Sequence, residues 1–183
     1  MEEKKVSKKS LGIVPFTIGL VGALIVGWWV FPQILFSEKA QPINFNHPLH
    51  MDQGLDCDSC HYYREDGSFA GMPTTESCMD CHFDVMDPDN PNDVKFIEEY
   101  VFPEKEIPWI VYQHQPDNVY FSHIVHEPFD CTDCHPDVAS MEELPKVSVN
   151  RLTKYTKQTM TMDECERCHA ENGASNACFV CHK

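Results

Sequence analysis

All 10 cysteines of the sequence lie in pairs with two residues between them, and a histidine follows each pair directly. Two thiols at this spacing can each form a thioether bond with a vinyl group of one haem, and the next residue places an imidazole against the iron. The sequence therefore predicts five covalently attached haem c groups. The predicted attachment cysteines are Cys57, Cys60, Cys78, Cys81, Cys131, Cys134, Cys165, Cys168, Cys178 and Cys181, and the predicted proximal iron ligands are His61, His82, His135, His169 and His182.

Other uses of paired cysteines fit this pattern less well. A zinc ribbon uses Cys-x-x-Cys pairs, but it has no need of a histidine after each pair. A redox-active dithiol needs one motif beside a strand rather than five copies. Disulfides within so many closely spaced pairs would be strained and without structural purpose.

Five histidines remain after the proximal ligands are assigned, and this number equals the number of second axial positions on five haems. They are His47, His50, His114, His123 and His126. We therefore predict mostly bis-histidine ligation, with methionines as the alternative for some irons. Two imidazoles give a lower reduction potential than a methionine and a histidine. They also occupy both axial positions, so we expect no catalysis from this chain alone.

Four of the spare histidines form an internal repeat of the type Phe-x-His-x-x-His, which precedes a Cys-x-x-Cys-His motif each time. The copies are Phe45 to His50 and Phe121 to His126. A single pair of surface histidines at this spacing would carry little meaning, whereas two copies before haem motifs indicate iron ligands. His114 has no such context. It is either a further distal ligand or a hydrogen-bonded or interface histidine.

The length of the chain limits what its interior can be. The 147 residues after position 36 provide about 29 residues for each predicted haem, which is too few for an ordinary side-chain core. We therefore expect the porphyrins to form the interior, with polypeptide wrapped around them. The predicted fold class is a small multihaem c-type cytochrome, mostly irregular with short α-helices and almost no β-structure, plus one N-terminal transmembrane helix.

Residues 11–36 contain no charged side chain, and a helix of this length can cross the hydrocarbon core of about 30 Å. Four lysines precede this segment. Because positive charge stays in the cytoplasm, residues 1–10 are predicted to be cytoplasmic and the remainder periplasmic. A cleaved signal peptide is the alternative, but its apolar run would be shorter and would end at a small-residue cleavage site. We expect a single-pass anchor in the inner (cytoplasmic) membrane.

The spacing of the motifs suggests three segments outside the anchor: a two-haem module (37–82), a connector (83–120) and a three-haem module (121–183). Local patterns predict a short helix over 93–100 and a capping box between Thr161 and Glu164 that opens a helix at the fourth motif. Four basic side chains indicate a solvated helical face, or else a site that docks a partner or haem propionates. They are Lys146, Arg151, Lys154 and Lys157.

Acidic side chains dominate the predicted outer domain. The whole chain has a formal net charge of −15, and residues 37–183, with 10 basic and 27 acidic side chains, carry −17. Nucleic-acid binding requires clustered basic residues, so this composition argues against it. A basic protein partner suits such a surface.

The Phe-x-His-x-x-His pairs, together with the haem motifs, resemble those of class III multihaem cytochromes. In that family the first histidine of the pair is the distal ligand of the haem attached next, and the second reaches a different haem. The resemblance implies that His47 binds the haem of Cys57 and Cys60, and that His123 binds the haem of Cys131 and Cys134. His50 and His126 would serve other haems.

The whole architecture is similar to the multihaem subunits of alternative complex III and of the quinone reductase complex of sulfate-reducing bacteria. The shared features are the N-terminal anchor, the histidine pairs and the segment from Pro116 to His123. The resemblance implies an electron-transfer subunit linked to menaquinone, with integral membrane and periplasmic partner subunits and a basic soluble periplasmic cytochrome c as donor. The alternatives are a quinol-oxidising subunit of the alternative complex III type, a stand-alone anchored quinol dehydrogenase, and a haem enzyme that reduces a small oxyanion.

Overall fold

The computed structural model describes residues 10–182, and it begins with one long apolar helix. Helix α1 (Ser10–Ile25) continues through a wide π-helical turn (Val26–Val30) into α2 (Phe31–Leu35). The wide turn lies just before Pro32, whose ring cannot fit a regular α-helical hydrogen-bond ladder. Among the described residues, Gly12–Leu35 is the one helix long and apolar enough to cross a membrane, and none of it is buried in the chain. The predicted basic N-terminal segment lies almost entirely outside the described residues.

A short antiparallel strand pair connects the C-terminal end of this helix to the C-terminal half of the chain. Strand β1 (Phe36–Lys39) follows α2 directly and pairs with β2 (Val147–Asn150), with Phe36 opposite Asn150 and Lys39 opposite Val147. Val147 and Val149 point to the same side of β2 and are buried. Their alternation with polar residues explains why this segment is extended.

The described residues contain one small side-chain core. It consists of Ile43, Phe96, Ile97, Val101 and Ile107. Helix α6 (Pro91–Phe96) and the π-helical turn that follows it (Ile97–Val101) supply three of these residues, which confirms the predicted short helix around 93–100. Cys78 and Met79 pack against the same core, so it lies directly beside the second haem motif.

Other helices are short and most of them carry haem motifs or histidine pairs. They are α3 (His47–Met51), α4 (Cys57–Cys60), α5 (Thr75–Met79), α7 (His123–His126), α8 (Met162–Glu171) and α9 (Cys178–Cys181), with 3-10 turns at Cys131–Asp133 and Val138–Ser140. Short helices in a mostly irregular chain, two four-residue strands and one N-terminal apolar helix confirm the predicted fold class.

The predicted helical face of four basic side chains is wrong. Lys146 precedes β2, and Arg151 and Lys154 lie in the turn after it. The side chain of Asn150 accepts hydrogen bonds from the backbone N–H groups of Leu152 and Thr153. This side-chain turn, together with the β-branched valines before it, overrides any helical tendency of the segment.

Candidate haem sites

Each haem motif closes one turn of chain that presents two thiols and an imidazole together. In four motifs the backbone N–H of the histidine donates to the carbonyl of the first cysteine, over 2.8 Å for His61 and 2.9 Å for His82, His135 and His182. The fourth motif lies inside α8, so His169 belongs to the regular ladder of that helix. All ten thiols are free in the polypeptide, as covalent attachment to vinyl groups requires.

Side-chain caps fix where several of these turns begin. Asp56 accepts from the backbone N–H of Ser59 at 3.0 Å and opens α4. Thr74 accepts from Ser77 and opens α5. At α8 the backbone N–H of Thr161 donates to the Glu164 carboxylate at 2.6 Å, which confirms the predicted capping box. Local sequence therefore places the cysteines independently of the cofactor.

The two Phe-x-His-x-x-His copies form the same one-turn structure in α3 and α7. Phe45 stacks on His50 with ring centres 4.2 Å apart, and its edge meets His47 at 4.7 Å. Phe121 stacks on His126 at 4.5 Å and meets His123 at 4.9 Å. In each copy the phenylalanine holds both imidazoles, so the sequence repeat is also a structural repeat.

Three histidines from these helices face a motif histidine at closely similar distances. The ring centres are 6.0 Å apart for His50 and His82, 6.3 Å for His123 and His135, and 6.2 Å for His126 and His169. With metal–nitrogen bonds of about 2.0–2.1 Å and about 1.1 Å from nitrogen to ring centre, two imidazoles on opposite sides of one metal ion have centres about 6.3 Å apart. The spacing therefore fits one iron between each pair.

His47 lies near His61, the histidine of the first haem motif. Burial lowers the pKa of the half-buried His47 ring, and electrostatic repulsion from His61 lowers the pKa further. Burial likewise lowers the pKa values of His82 and His123. A lower pKa keeps an imidazole neutral at physiological pH, which is the form that binds a metal.

Hydrogen bonds at Nδ1 leave the opposite ring nitrogen of six histidines available. His50 and His126 each lie 2.9 Å from a carbonyl four residues earlier in the chain, those of Asn46 and Ser122. The motif histidines have acceptors from elsewhere: Gly71 for His61 at 2.5 Å, Gln113 for His135, Ser175 for His169 at 3.2 Å and Asn118 for His182 at 3.1 Å. An acceptor at Nδ1 fixes the proton there and leaves Nε2 free for iron. The buried Nδ1 atoms of His47 and His82 have no acceptor among the described residues.

The fourth motif borders a cleft of about 650 Å³, a volume that suits one large cofactor. Cys168 and His126 line it, and so do the basic side chains of Lys157 and Arg167. The carboxylates of Asp133, Glu164 and Glu171 also line this cleft, so it combines a thiol and an imidazole with side chains of both charges. Burial raises the pKa of Cys78 to about 11 and also raises the pKa values of Cys60, Cys134 and Cys165, so these four thiols are protonated at neutral pH.

His114 and His182 are the two histidines left outside these four pairings. The ring of His114 meets the edge of Tyr155, with ring centres 5.3 Å apart. Its backbone N–H and C=O bind the hydroxyls of Thr156 and Thr159. The ring of His182 lies against the carbonyl of Asn118. His114 therefore contacts the segment 155–159, whereas His182 contacts the segment of residues 113–120 to which His114 belongs.

Sequence reasoning did not identify the residues that orient the motif histidines. Gly71 presents its carbonyl to His61 from a left-handed backbone conformation, with φ of 72°. Gln113 binds His135 through its side chain. The glycine alone carried a local signal, because a left-handed conformation favours glycine. The role of Gln113 depends on a contact between distant parts of the chain.

Comparison with known proteins agrees with the geometry. Residues 31–108 match the model of the class III cytochrome c family. Over an alignment of 191 positions, which covers 94% of this chain and 90% of the relative, the sequence is 50% identical to the menaquinone reductase multihaem cytochrome c subunit of Nitratidesulfovibrio vulgaris. Covalently bound haem c follows from this membership. The chain belongs to the family of multihaem cytochrome c subunits of menaquinone reductase.

Proposed function

We propose that this chain is a membrane-anchored, periplasmic pentahaem cytochrome. It accepts electrons from a soluble cytochrome and passes them to partner subunits of a complex that reduces menaquinone. The observation that carries the proposal is the spacing of 6.0–6.3 Å between three distal and three motif histidines. Two imidazoles on each iron favour a low potential and leave no open coordination position, which suits electron transfer rather than substrate chemistry.

The three ring contacts support ligand pairs for three haems, and the proximity of His47 to His61 supports a fourth. His47 and His50 on α3 would bind the first and second haems, opposite His61 and His82. His123 and His126 on α7 would bind the third and fourth haems, opposite His135 and His169. Ten histidines make five pairs, so His114 remains the candidate for the fifth haem, opposite His182.

The same contacts support a spatial order of haems that differs from the order along the chain. Helix α3 joins the first haem to the second, and α7 joins the third to the fourth. Between these pairs, the thiols of Cys57 and Cys131 lie close enough to interact electrostatically, which brings the first motif to the third, and Phe69 stacks on His123 with ring centres 4.3 Å apart. The side chain of Asn176 donates to the carbonyl of Glu166 at 2.9 Å, which brings the fifth motif to the fourth. These contacts support the order second, first, third, fourth and fifth.

Haem c supplies reversible one-electron chemistry at its iron. The chain itself contributes the ligands, the spacing between sites and the surface that meets the donor. Residues 37–183 carry a net charge of −17, so a small soluble cytochrome with a lysine-rich face would be drawn towards them. The helix of residues 12–35 would hold this domain beside the membrane subunits that bind menaquinone.

Salt dependence tests the proposed donor. We expect the bimolecular rate at which a lysine-rich class III cytochrome reduces the purified complex to fall by about tenfold or more as the ionic strength rises from about 0.01 M to about 1 M. Reduction by dithionite is the control for a general effect of salt on the haems. A donor rate that does not change with ionic strength would contradict docking through this acidic surface.

The place of the chain in a complex is tested by purification from detergent-solubilised membranes. We expect the chain to co-purify with integral membrane and periplasmic subunits, and this assembly to reduce a menaquinone analogue with electrons from the reduced cytochrome. A chain that purifies alone and oxidises menaquinol unaided would contradict the proposal and favour a stand-alone quinol dehydrogenase.

A further inference from the structure

Gln113 is distinct among the described groups that orient the motif histidines. The Nδ1 atoms of His61, His169 and His182 lie against backbone carbonyls. The Nδ1 atom of His135 instead lies against the side-chain oxygen of Gln113. A side-chain acceptor can differ in charge and strength, whereas a backbone carbonyl is always a neutral amide oxygen.

A second hydrogen bond fixes the orientation of this side chain. The Nε2 atom of Gln113 donates to the carbonyl of Cys134 at 3.0 Å. Because that carbonyl can only accept, the amide nitrogen must face it and the amide oxygen must face the imidazole. The proton of His135 is therefore on Nδ1, and Nε2 is available to iron. One half-buried carboxamide thus holds both the motif backbone and the motif imidazole.

The position of Gln113 places this contact where it can affect electron transfer between the two groups of haems. It belongs to the segment 83–120, outside both groups of haem motifs, and it reaches the third motif across 22 residues. In the proposed order the third haem is the central one, next to the contact between Phe69 and His123. Any change in its potential would alter the step between the two groups of haems.

We propose that Gln113 is a positioning residue that sets the reduction potential of the third haem through its hydrogen bond to His135. This inference rests on the proposed function, because it requires His135 to be an iron ligand. A stronger acceptor at Nδ1 makes the imidazole a better donor to iron and stabilises the oxidised state. A missing acceptor has the opposite effect.

Spectroelectrochemical titration of the full, haem-loaded complex tests this inference with two variants. Gln113→Glu replaces the carboxamide with a carboxylate, which keeps an acceptor for Nδ1 of His135 and loses the donor to the Cys134 carbonyl. We expect one of the five one-electron components to move to a more negative potential. Gln113→Leu removes the acceptor, and we expect the same component to move to a more positive potential. Shifts of opposite sign at one haem are a result that a merely structural role would not produce.

Gln41→Glu is the matched control. The side chain of Gln41 also bridges backbone groups, donating to the carbonyl of Ile110 at 2.7 Å and accepting from its N–H at 2.9 Å. The control adds the same charge without touching a histidine, so its shift measures the long-range effect of charge alone. Potentials unchanged relative to this control, or shifts of the same sign in both variants, would overturn the inference.

Haem-to-protein ratio and donor-dependent menaquinone reduction separate failure of this inference from failure of the proposed function. A full haem complement and continued reduction with unaltered potentials would reject the role of Gln113 alone. Loss of a haem in both variants would show that Gln113 is needed for assembly rather than for tuning, and it would also overturn the inference.

Discussion

Helices α3 and α7 have the same sequence pattern and the same local geometry, yet they lie in different surroundings. The α3 region (43–108) contains the cluster around Ile97 and Phe96. In the α7 region (121–182), the buried hydrophobic side chains among the described residues are Val147 and Val149, and both belong to the strand pair. Leu152 and Phe179 of this region are 73% and 75% exposed. The same one-turn helix with two histidines therefore forms beside a side-chain core in one region and beside almost none in the other.

This difference indicates what fills the interior of each region. The α3 region can bury part of its apolar surface without a cofactor, since the second motif packs on the core through Cys78 and Met79. In the α7 region the fourth motif borders an open cleft instead. We infer that haem is the main source of burial in the α7 region and only one of two sources in the α3 region.

Removal of a distal imidazole should have the largest effect. We expect His50→Ala and His126→Ala each to convert one of the five irons from low spin to high spin, because each removes one axial ligand. Electron paramagnetic resonance of the oxidised protein, with spin counted per haem, measures this change. A variant whose irons all remain low spin would break the equivalence between α3 and α7.

Truncation in the side-chain core should separate the two regions. Ile97 is completely buried, so Ile97→Ala should lower the free energy of unfolding by about 2–5 kcal/mol. Val125 lies on α7 and is 70% exposed, and we expect Val125→Ala to change the free energy by less than about 0.5 kcal/mol. Denaturant unfolding of the haem-loaded protein in detergent gives both values. Similar losses in the two variants would contradict the proposed difference between the regions.

Comparison of alanine substitutions at two glycines tests the role of the Gly71 carbonyl, which orients His61. Gly71 and Gly54 have φ values of 72° and 83°, and an added Cβ would meet no atom within 4 Å at either position. Each alanine substitution should therefore cost about 1–2 kcal/mol of backbone strain. Only Gly71→Ala should also change the potential of one haem, because the Gly71 carbonyl binds His61. Identical redox titrations of the two variants would contradict this role.

The smallest effect concerns the caps of the first and fourth motifs. The side chain of Ser59 and, to a smaller extent, its backbone N–H donate hydrogen bonds that lower the pKa of Asp56 below its ordinary value of 3.8. The backbone N–H of Thr161 and, to a smaller extent, its side chain donate hydrogen bonds that lower the pKa of Glu164 below its ordinary value of 4.5. A lowered folded-state pKa gives stability that is present above the ordinary pKa and is lost as the pH falls through the folded value.

We therefore expect Asp56→Asn and Glu164→Gln to reduce the dependence of unfolding on pH below about pH 4.5, and only slightly because both groups are exposed. Denaturant midpoints of unfolding, measured for each variant and for the unaltered protein between about pH 6 and about pH 3, test this expectation. The two caps lie in different regions but should behave alike. If the pH dependence of unfolding changes in only one variant, the two regions are alike in their histidine helices but not in their caps.

The sequence predicted the features that depend on residues within one turn of chain. The haem motifs, the histidine pairs and the Thr161 cap all follow from neighbours three or four positions apart. The partners of His50 and His126 could not be predicted, because the ring contacts join separate segments. The contact of Gln113 with His135 depends on tertiary structure in the same way. The strand Val147–Asn150 was not predicted, although its alternating valines are a local signal for an extended segment.

The mass of the intact chain purified from membranes tests the central claim most directly. The polypeptide alone has a mass of 21.0 kDa. If haem forms the interior, the chain should be heavier by five covalently attached haem groups. A chain with the polypeptide mass alone, or with fewer than five added haems, would contradict the account.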